Sequence, residues 1–322
     1  MTENGKEPRT VKDRWTTDRM PDLKGKTAIV TGANSGLGFH TARALAGKGA
    51  HVILACRNQE AGKMAAEKIR DEFPGSSQEV LALDLADLAS VRSFADTFLQ
   101  RHQALHILCN NAGVMATPFR HTVDGFELQF GTNHLGHFAL TGLLVQRILD
   151  THQSRVVTVS SDMHRFARLS FVDSADQPSY SRWGAYSQSK LANLLFAYEL
   201  QRSFEAIGAD AISVAAHPGY AATNLQSSGP HLGGASVLAW IMKISNRLFA
   251  QSPEMGALPT LYAATAPDVQ GGDFVGPDGL MGNRGYPKKV RSSQASYNLD
   301  AARKLWATSV SLTGVRYAAL SR

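Results

Sequence analysis

Short apolar runs, each followed by an amphipathic segment, recur along most of the chain. Seven such runs are rich in β-branched and aliphatic residues: Thr27–Val30, His51–Cys56, Val80–Leu83, Ile107–Cys109, Arg155–Ser160, Ala211–Ala216 and Asp273–Val275. Continuous apolar runs without alternation are typical of strands buried on both faces. Strands that alternate with helices are joined by right-handed crossovers into a parallel sheet. The pattern therefore predicts an α/β fold, a single doubly wound domain with about seven parallel strands and helices on both faces.

The composition fits a packed globular domain. Apolar residues make up 43% of the chain and charged residues 19%, which does not suit a disordered protein. The net charge is +6, but residues 284–322 carry eight basic residues against one acid, Asp300, which predicts a solvated basic tail. No apolar run reaches the roughly 18 residues of a membrane span, and the N-terminus is polar. We therefore expect no bound nucleic acid, no transmembrane segment and a cytoplasmic location.

One domain is expected at residues 23–310, between a polar N-terminal extension at 1–22 and a C-terminal tail at 311–322. Two segments interrupt the strand–helix rhythm. Residues 162–185 are polar and predict a substrate loop, and residues 225–259 open with glycine, serine and proline before becoming apolar. Both follow carboxyl ends of strands, where ligands bind in open α/β sheets. The second segment predicts a lid, with a helix packed permanently on the core as the alternative.

A glycine-rich turn separates the first predicted strand from the first predicted helix. Residues 31–38 read Thr-Gly-Ala-Asn-Ser-Gly-Leu-Gly, with the spacing G-x-x-x-G-x-G. Glycines here let the backbone approach a pyrophosphate, and the helix N-terminus supplies free N–H groups and a positive dipole end. An ordinary tight turn could share these residues, but the position after the first strand favours a dinucleotide site. The candidate cofactor-binding residues of this turn are Gly32, Asn34, Ser35, Gly36, Leu37 and Gly38.

The end of the second predicted strand indicates which dinucleotide is bound. Enzymes that use NAD typically place an acidic residue there to hold the ribose 2′-hydroxyl. This chain has Cys56 followed by Arg57 at that place. A guanidinium can hold a 2′-phosphate through two hydrogen bonds, and no nearby carboxylate is expected to repel that phosphate. Arg57 therefore favours NADP(H) over NAD(H), with a solvated strand-end arginine as the alternative.

Tyr186 and Lys190 are spaced i and i+4 at the start of an amphipathic segment, so both project from one face of a helix. A free phenol has a pKa of about 10, and a nearby ammonium together with an oxidised nicotinamide ring would lower it. Ser161 ends a predicted strand 25 residues earlier and places a hydroxyl at the carboxyl edge of the sheet. The motif predicts proton transfer through Tyr186.

These motifs, in this order and spacing, resemble those of the short-chain dehydrogenases/reductases from about Leu23 to near Trp306. Residues 55–58 (Ala-Cys-Arg-Asn), 133–138 (Asn-His-Leu-Gly-His-Phe) and 217–219 (His-Pro-Gly) resemble the retinol-dehydrogenase-like and WW-domain-oxidoreductase-like branch. The resemblance implies a Rossmann fold and an NADP(H)-linked hydride transfer between nicotinamide and a carbonyl or alcohol. An apolar lid would suit a small lipophilic substrate such as a retinoid, steroid or aliphatic aldehyde. A homo-oligomer is left open.

The resemblance also implies roles for individual residues. Tyr186 would be the general acid in reduction and the base in oxidation, Ser161 would hold the substrate oxygen, and Lys190 would bind the nicotinamide ribose. Asn133 would hold a water for proton relay. The remaining implied cofactor contacts are Asp84 and Leu85 at the adenine, Asn111 and Ala112 in the Asn-Asn-Ala-Gly motif that ends with Gly113, and Thr223 at the nicotinamide amide.

Two other functions are kept as alternatives. One is a catalytically silent dinucleotide-binding scaffold. The presence of all four predicted catalytic residues, Asn133, Ser161, Tyr186 and Lys190, disfavours it. The other is an enzyme like protochlorophyllide reductase, which shares the Ala-Cys-Arg-Asn strand but usually replaces the glycine that is present here as Gly113.

No metal is expected. His134, His137, Asp162 and His164 show no ligand-spacing motif, and His134 and His137 are expected to pack structurally. Cys56 and Cys109 are predicted to lie too far apart for a disulfide.

Overall fold

A single sheet runs through the part of the chain that the computed structural model describes, residues 14–167, 180–220, 251–279 and 282–320. Its strands lie in the order β3-β2-β1-β4-β5-β6-β7-β8. They are β1 (Thr27–Thr31), β2 (His51–Cys56), β3 (Ser77–Ala82), β4 (Ile107–Asn110), β5 (Arg155–Val159), β6 (Ile212–Ala216), β7 (Phe274–Pro277) and β8 (Pro287–Lys289). Strands β1 to β7 are parallel, which confirms the predicted doubly wound sheet.

Helices cover the sheet on both faces. Within the described ranges they are α1 (Gly36–Gly47), α2 (Gln59–Glu72), α3 (Leu88–Arg101), α4 (Gly136–Leu149), α5 (Arg182–Ile207), α6 (Pro253–Thr265) and α7 (Leu299–Thr313). Alternate residues of β1 enter different cores: Val30 packs with α1, α2 and α6, whereas Ile29 packs with α3, α4 and α5. Burial on both faces explains why the strands read as continuous apolar runs.

The sheet differs from the predicted seven strands by one short edge strand. Strand β8 has three residues, Pro-Lys-Lys, and pairs antiparallel with β7. It was missed because two exposed lysines and a proline leave no apolar run. Edge strands commonly carry such residues, which discourage pairing with another chain. Strand β3, at the opposite edge, begins at Ser77 rather than Val80 for a similar reason, since its first residue is exposed.

Both predicted terminal segments contribute to the core. In the N-terminal extension, Trp15 is buried and its ring meets Tyr262 edge-on at a centroid distance of 5.2 Å. In the predicted tail, Val315 and Tyr317 are buried, and the Tyr317 hydroxyl donates a hydrogen bond to the Phe138 carbonyl at 2.7 Å. The packed domain therefore extends past residue 310.

The interrupting segments are shorter than predicted. In the substrate loop, residues 162–166 form a 3-10 helix and α5 begins at Arg182. In the lid, residues 253–259 belong to α6, and Ala257 and Leu258 are buried in the core. The remainder of the predicted lid up to residue 250 lies outside the described residues.

The carboxyl ends of β1 and β4 meet at the point where the strand order reverses. In open α/β sheets the ligand crevice opens at such a point, and the predicted site residues follow these strands. None of the helices in the described ranges combines the length and apolarity that a membrane span requires. The cytoplasmic location stays a prediction.

Candidate active site

The glycine-rich turn after β1 has a backbone that other residues would not adopt. Gly32 and Gly36 have φ of 67° and 55°, in the left-handed region that favours glycine. A Cβ on Gly38 would collide with the carbonyl oxygen of Gly32. Ser35 precedes the first turn of α1, so the turn leads directly to the free N–H groups of that helix. The result is a bare backbone cradle at a helix N-terminus, which suits a pyrophosphate.

Thr31 connects this turn to the neighbouring strand β4. Its hydroxyl oxygen accepts hydrogen bonds from the backbone N–H groups of Asn111 and Ala112, both at 2.9 Å. The Asn111 side-chain amide donates to the Thr31 carbonyl at 2.8 Å. Thr31 was not among the residues predicted from the sequence, although its place at the end of β1 is a signal for a contact with the next strand. Thr31 fixes two of the predicted cofactor-binding residues beside the glycine turn.

Arg57 and Asp84 lie together at the carboxyl ends of the adjacent strands β2 and β3. The Arg57 side chain is 79% exposed, and its Nη1 lies 3.9 Å from Oδ2 of Asp84. The expectation that no carboxylate lies near Arg57 is wrong. The pairing of β2 with β3 brings Asp84, which follows β3, beside Arg57, which follows β2. The adjacent α2 begins after Asn58, whose side chain caps it by accepting from Ala61 N–H at 3.0 Å. A guanidinium and a helix N-terminus thus face the same solvent region.

Ser161, Tyr186 and Lys190 come together at the carboxyl end of β5. Tyr186 and Lys190 are only 7% and 4% exposed. The Ser161 hydroxyl lies close enough to the Tyr186 phenol to lower the pKa of that phenol, against the larger effect of burial. Lys190 Nζ donates to the Val159 carbonyl at 3.1 Å and lies 5.7 Å from the centre of the Tyr186 ring. The structure therefore brings together three of the four predicted catalytic side chains.

The protonation of this group is set mainly by burial. Burial raises the pKa of Tyr186 to about 12, opposed by the Ser161 hydroxyl. Burial lowers the pKa of Lys190 to about 8. The sequence predicted a lowered phenol pKa, and in the protein without cofactor the direction is the opposite because desolvation outweighs the effect of the Ser161 hydroxyl. At neutral pH the group can therefore supply a phenolic proton next to a mostly charged amine.

Asn133, the fourth predicted residue, holds the backbone of the Asn-Asn-Ala-Gly motif. Its Oδ1 accepts from Val114 N–H at 2.7 Å, and its Nδ2 donates to the Val114 carbonyl and to Ser189 Oγ, both at 2.9 Å. A Cβ on Gly113 would lie 3.0 Å from Asn133 Oδ1 and 3.5 Å from Lys190 Nζ. Gly113 is thus the point where the cofactor cradle meets the catalytic group, and a larger residue would crowd both.

A π-helical turn, Gly131–Leu135, carries Asn133 into α4. Such turns leave backbone carbonyls without the usual helical partner and occur often at functional sites. The Asn133 carbonyl accepts from His137 Nδ1 at 3.0 Å, and His137 Nε2 lies 2.9 Å from the Thr31 hydroxyl. Burial lowers the pKa of His137 to about 4, so the ring is neutral. His137 therefore links the π-helical turn that carries Asn133 to Thr31, the residue that precedes the glycine-rich turn.

The other histidines considered for metal binding have structural partners. His134 is buried, its Nε2 lies 2.8 Å from the Ser309 hydroxyl, and burial lowers its pKa to about 3. His164 Nδ1 donates to the Ser161 carbonyl at 2.6 Å, while its Nε2 accepts from Ser293 N–H at 3.0 Å. These contacts confirm structural packing for His134 and place His164 as a support for the catalytic serine. Both cysteines are free, as predicted.

Ser160 and Asp162 flank the catalytic serine in different ways. Ser160 Oγ donates to the Lys190 carbonyl at 2.8 Å, which confirms its structural role at the strand end. Asp162 Oδ2 lies 3.3 Å from Nδ1 of the buried His217, the first residue of the His-Pro-Gly motif after β6. Burial raises the pKa of Asp162. His217 Nδ1 accepts from Gly219 N–H at 3.3 Å and its pKa is lowered to about 4 by burial, so the Asp162 oxygen beside it has no hydrogen-bond partner among the described residues.

Three exposed aromatic side chains lie close in the sequence to the predicted site residues. Phe166 is 75% exposed, Trp183 48% and Tyr220 37%. Phe166 follows Ser161, Trp183 precedes Tyr186, and Tyr220 follows the His-Pro-Gly motif after β6. Trp183 meets the Tyr186 ring edge-on at 6.2 Å. We call these three residues the aromatic rim. Leu85 is buried against α4, and Thr223 lies outside the described residues.

Comparison with known proteins gives a consistent result. A family model described as short chain dehydrogenase matches residues 26–231. Human polyprenol dehydrogenase is 39% identical over 299 residues, covering 92% of this chain and 87% of that protein. Human retinol dehydrogenase 12 is 39% identical over 297 residues, covering 92% and 88%. The crystal structure of an uncharacterized protein from Mycobacterium paratuberculosis has a TM-score of 0.77 and 43% identity, covering 94% of this chain and 99% of that one.

Proposed function

The chain belongs to the short-chain dehydrogenase family and is an oxidoreductase of that family, similar to dehydrogenases of lipophilic alcohols. From this premise we propose that it transfers a hydride between NADP(H) and the carbonyl or hydroxyl carbon of a lipophilic substrate. Tyr186 is its proton-transfer group. The observation that carries the proposal is the buried contact of Ser161, Tyr186 and Lys190 beside Gly113.

The residues present fit a nicotinamide dinucleotide. The turn at residues 32–38 is a cradle that a Cβ at Gly38 would obstruct, and it opens onto the N-terminus of α1. Gly113 follows Ala112, which lies against Gly32 of that cradle, and a Cβ on Gly113 would lie 3.5 Å from Lys190 Nζ. The turn would hold the pyrophosphate, Asn111 and Ala112 the adenosine ribose, and Lys190 the nicotinamide ribose. The bound cofactor supplies or accepts the hydride and, when oxidised, adds a positive charge near the phenol.

Proton transfer follows from the state of the three side chains. With its pKa raised to about 12 by burial, the Tyr186 phenol is protonated at neutral pH and can donate to a carbonyl oxygen as that oxygen gains charge. The Ser161 hydroxyl, which acts on the phenol in the same direction as a hydrogen-bond donor, would orient the same substrate oxygen. In the oxidative direction Tyr186 accepts the proton from the alcohol, and the Lys190 ammonium, together with the positive charge described above, favours the phenolate.

Arg57 supports a preference for NADP(H). Its guanidinium is at the end of β2, where the ribose of the adenosine lies in this fold, and the N-terminus of α2 adds a second positive feature. Asp84, 3.9 Å from Arg57, opposes the preference by competing for the same cation. The guanidinium has five N–H donors and can serve both groups, so a net preference for the phosphorylated cofactor is expected.

The aromatic rim supports a lipophilic substrate. Exposed large apolar side chains that cluster beside a site usually mark a binding surface. Phe166, Trp183 and Tyr220 lie next to the catalytic group in the chain, and two relatives are named for the lipophilic alcohols retinol and polyprenol. Each extra buried methylene contributes about 0.8 kcal/mol. Efficiency should therefore rise along a series of aliphatic aldehydes until the apolar surface is filled.

The proposal is tested by following NADPH absorbance over a panel of carbonyls and alcohols. Tyr186→Phe removes one hydroxyl and should lower turnover by about 10²–10⁴-fold while NADPH binding survives. Tyr198→Phe is the matched control, because Tyr198 is a buried tyrosine of the same helix whose hydroxyl bonds to Ser292 at 2.8 Å instead. Cofactor binding without turnover on the whole panel would instead indicate a silent scaffold. Normal turnover by Tyr186→Phe would remove Tyr186 from the mechanism.

The substrate class has its own test. Trp183→Ala should reduce kcat/KM for long-chain aldehydes more than for short ones, because only long chains reach the aromatic rim. Met64→Ala removes a comparably exposed apolar side chain from α2. It should leave kcat/KM unchanged for both long-chain and short-chain aldehydes. A flat chain-length series in the unmodified protein would contradict the lipophilic assignment and leave the hydride transfer intact.

A further inference from the structure

A second group of ligand-type side chains lies at the end of the sheet away from the active site. His51 is the first residue of β2, Glu79 is the third residue of β3, and His102 follows the last residue of α3. The catalytic side chains follow the carboxyl ends of these parallel strands, whereas His51 begins one. We call His51, Glu79 and His102 the edge triad.

Strand register places two members of the edge triad on one face. His51 pairs with Ser77 and Ile53 pairs with Glu79, so alternate positions put His51 and Glu79 on the same side of the sheet. Ile53 on that side packs in the core that includes Phe98 of α3. His102, at the C-terminal end of α3, stacks on the Phe98 ring at 4.9 Å and so reaches the same place.

The ligand atoms of the edge triad converge. One nitrogen from each histidine and one carboxylate oxygen all lie within 4.8 Å of one another, and all three residues are partly buried. His102 Nε2 is 2.8 Å from Glu79 Oε2, and the two imidazole rings are 5.2 Å apart. Ligands at 2.0–2.2 Å from a tetrahedral Zn²⁺ are about 3.3 Å apart. Side-chain rotations that move the ligand atoms by about 1 Å would therefore bring them to that separation.

His51 has a nitrogen that lacks a partner. Its Nδ1 lies 2.7 Å from the Ser77 hydroxyl, and its Nε2 is buried without a hydrogen bond among the described residues. When Nδ1–H donates to Ser77, Nε2 carries a free lone pair, which is the state of a metal-bound imidazole with an outer partner.

Glu79 has the same kind of outer partner. Its Oε1 forms an ion pair with Arg101, which leaves Oε2 directed at His102. A metal-binding carboxylate is usually held in this way through its second oxygen. Two imidazole nitrogens and one carboxylate oxygen match the ligands that Zn²⁺ accepts, with a water as the fourth ligand.

We propose that His51, Glu79 and His102 bind one divalent transition-metal ion, with Zn²⁺ as the natural choice. The bound ion joins the start of β2, the middle of β3 and the end of α3 at an edge of the sheet. It stabilises this edge and takes no part in hydride transfer, because it lies at the opposite ends of the strands. An Arg101–Glu79–His102 ion-pair network accounts for two of the three residues but leaves the buried His51 nitrogen unexplained.

The experiment uses untagged full-length protein, freed of metal by chelator and titrated with Zn²⁺ in a calorimeter. We expect one site per chain. A hundredfold excess of Zn²⁺ over Kd should raise the Tm by about 2 °C or more. Co²⁺ in place of Zn²⁺ should give the visible absorption of a four-coordinate site. NADPH turnover should be the same with and without the metal.

Variants distinguish the edge triad from adventitious binding. His51→Ala and Glu79→Gln should each weaken Zn²⁺ binding at least tenfold and abolish the Co²⁺ absorption. His152→Ala is the control and should bind as the unmodified protein does, because His152 is an exposed histidine paired with Asp210 outside the triad. If a variant fails to fold, His102→Gln replaces it, since that residue lies outside β2, β3 and α3. The proposal would be overturned if the unmodified protein showed no single Zn²⁺ site. It would also be overturned if the Zn²⁺ affinity of that site were unchanged after replacement of His51 or His102.

Discussion

Replacing Arg57 with alanine should remove most of the preference for NADPH over NADH, and replacing Asp84 with asparagine should increase it. The two side chains lie 3.9 Å apart at the ends of β2 and β3, and only NADPH carries the 2′-phosphate that Arg57 would bind. The two substitutions change the preference for NADPH in opposite directions because the two side chains carry opposite charges. Loss of the guanidinium removes an attraction to the phosphate, and loss of the carboxylate removes both a repulsion and a competitor for Arg57.

The magnitudes follow from exposure and distance. A charge-assisted hydrogen bond contributes about 1.5–3 kcal/mol, and the lower end applies because the Arg57 side chain is 79% exposed. Arg57→Ala should therefore weaken NADPH binding about tenfold. Two unit charges about 4 Å apart in water interact by about 1 kcal/mol, so Asp84→Asn should tighten NADPH binding about fivefold. NADH affinity should change little in either variant.

The assay is a fluorescence titration of NADPH and NADH at low and high salt. Salt should shrink both effects because the groups are exposed. The combined variant should not equal the sum of the single changes, since the residues are in contact. Lys63→Ala is the control, because Lys63 is an exposed cation of α2 whose partner is Glu60. Equal affinities of the unmodified protein for NADPH and NADH, or an unchanged ratio in Arg57→Ala, would refute the reasoning.

Three further outcomes are expected. Gly113→Ala should lower both NADPH affinity and turnover at least tenfold, measured by titration and steady-state rates, because its Cβ would lie 3.0 Å from Asn133 Oδ1. The ammonium of Lys190 is lost as pH rises through its pKa of about 8, so kcat/KM should fall on the alkaline side, and Lys190→Arg should lack that limb of the profile. Phe138→Ala should lower the free energy of unfolding by about 3–5 kcal/mol in a denaturant titration, since Phe138 is fully buried, whereas the exposed Phe166→Ala should change it by less than about 0.5 kcal/mol.

The fold, and the meeting of Ser161, Tyr186 and Lys190 at one edge of the sheet, could be predicted from the sequence because their signals are local. A strand buried on both faces is a continuous apolar run, and its carboxyl end can be read from where the run stops. Tyr186 and Lys190 share a face because four residues make about one helical turn. Ser161 and the glycine turn follow strand ends, and parallel strands bring such ends to one edge of the sheet. β8 was missed because a short, basic edge strand lacks that apolar signal.

Only the tertiary structure decided which distant residues become neighbours. The contact of Arg57 with Asp84 depends on β2 lying beside β3, and the edge triad depends on that pairing together with the end of α3. The link from His137 to Thr31 depends on α4 crossing behind β1. Periodicity states which face a side chain occupies but not which strand lies next to it. Desolvation is likewise a property of the assembled core, which is why the direction of the Tyr186 pKa shift could not be predicted from the spacing of Tyr186 and Lys190.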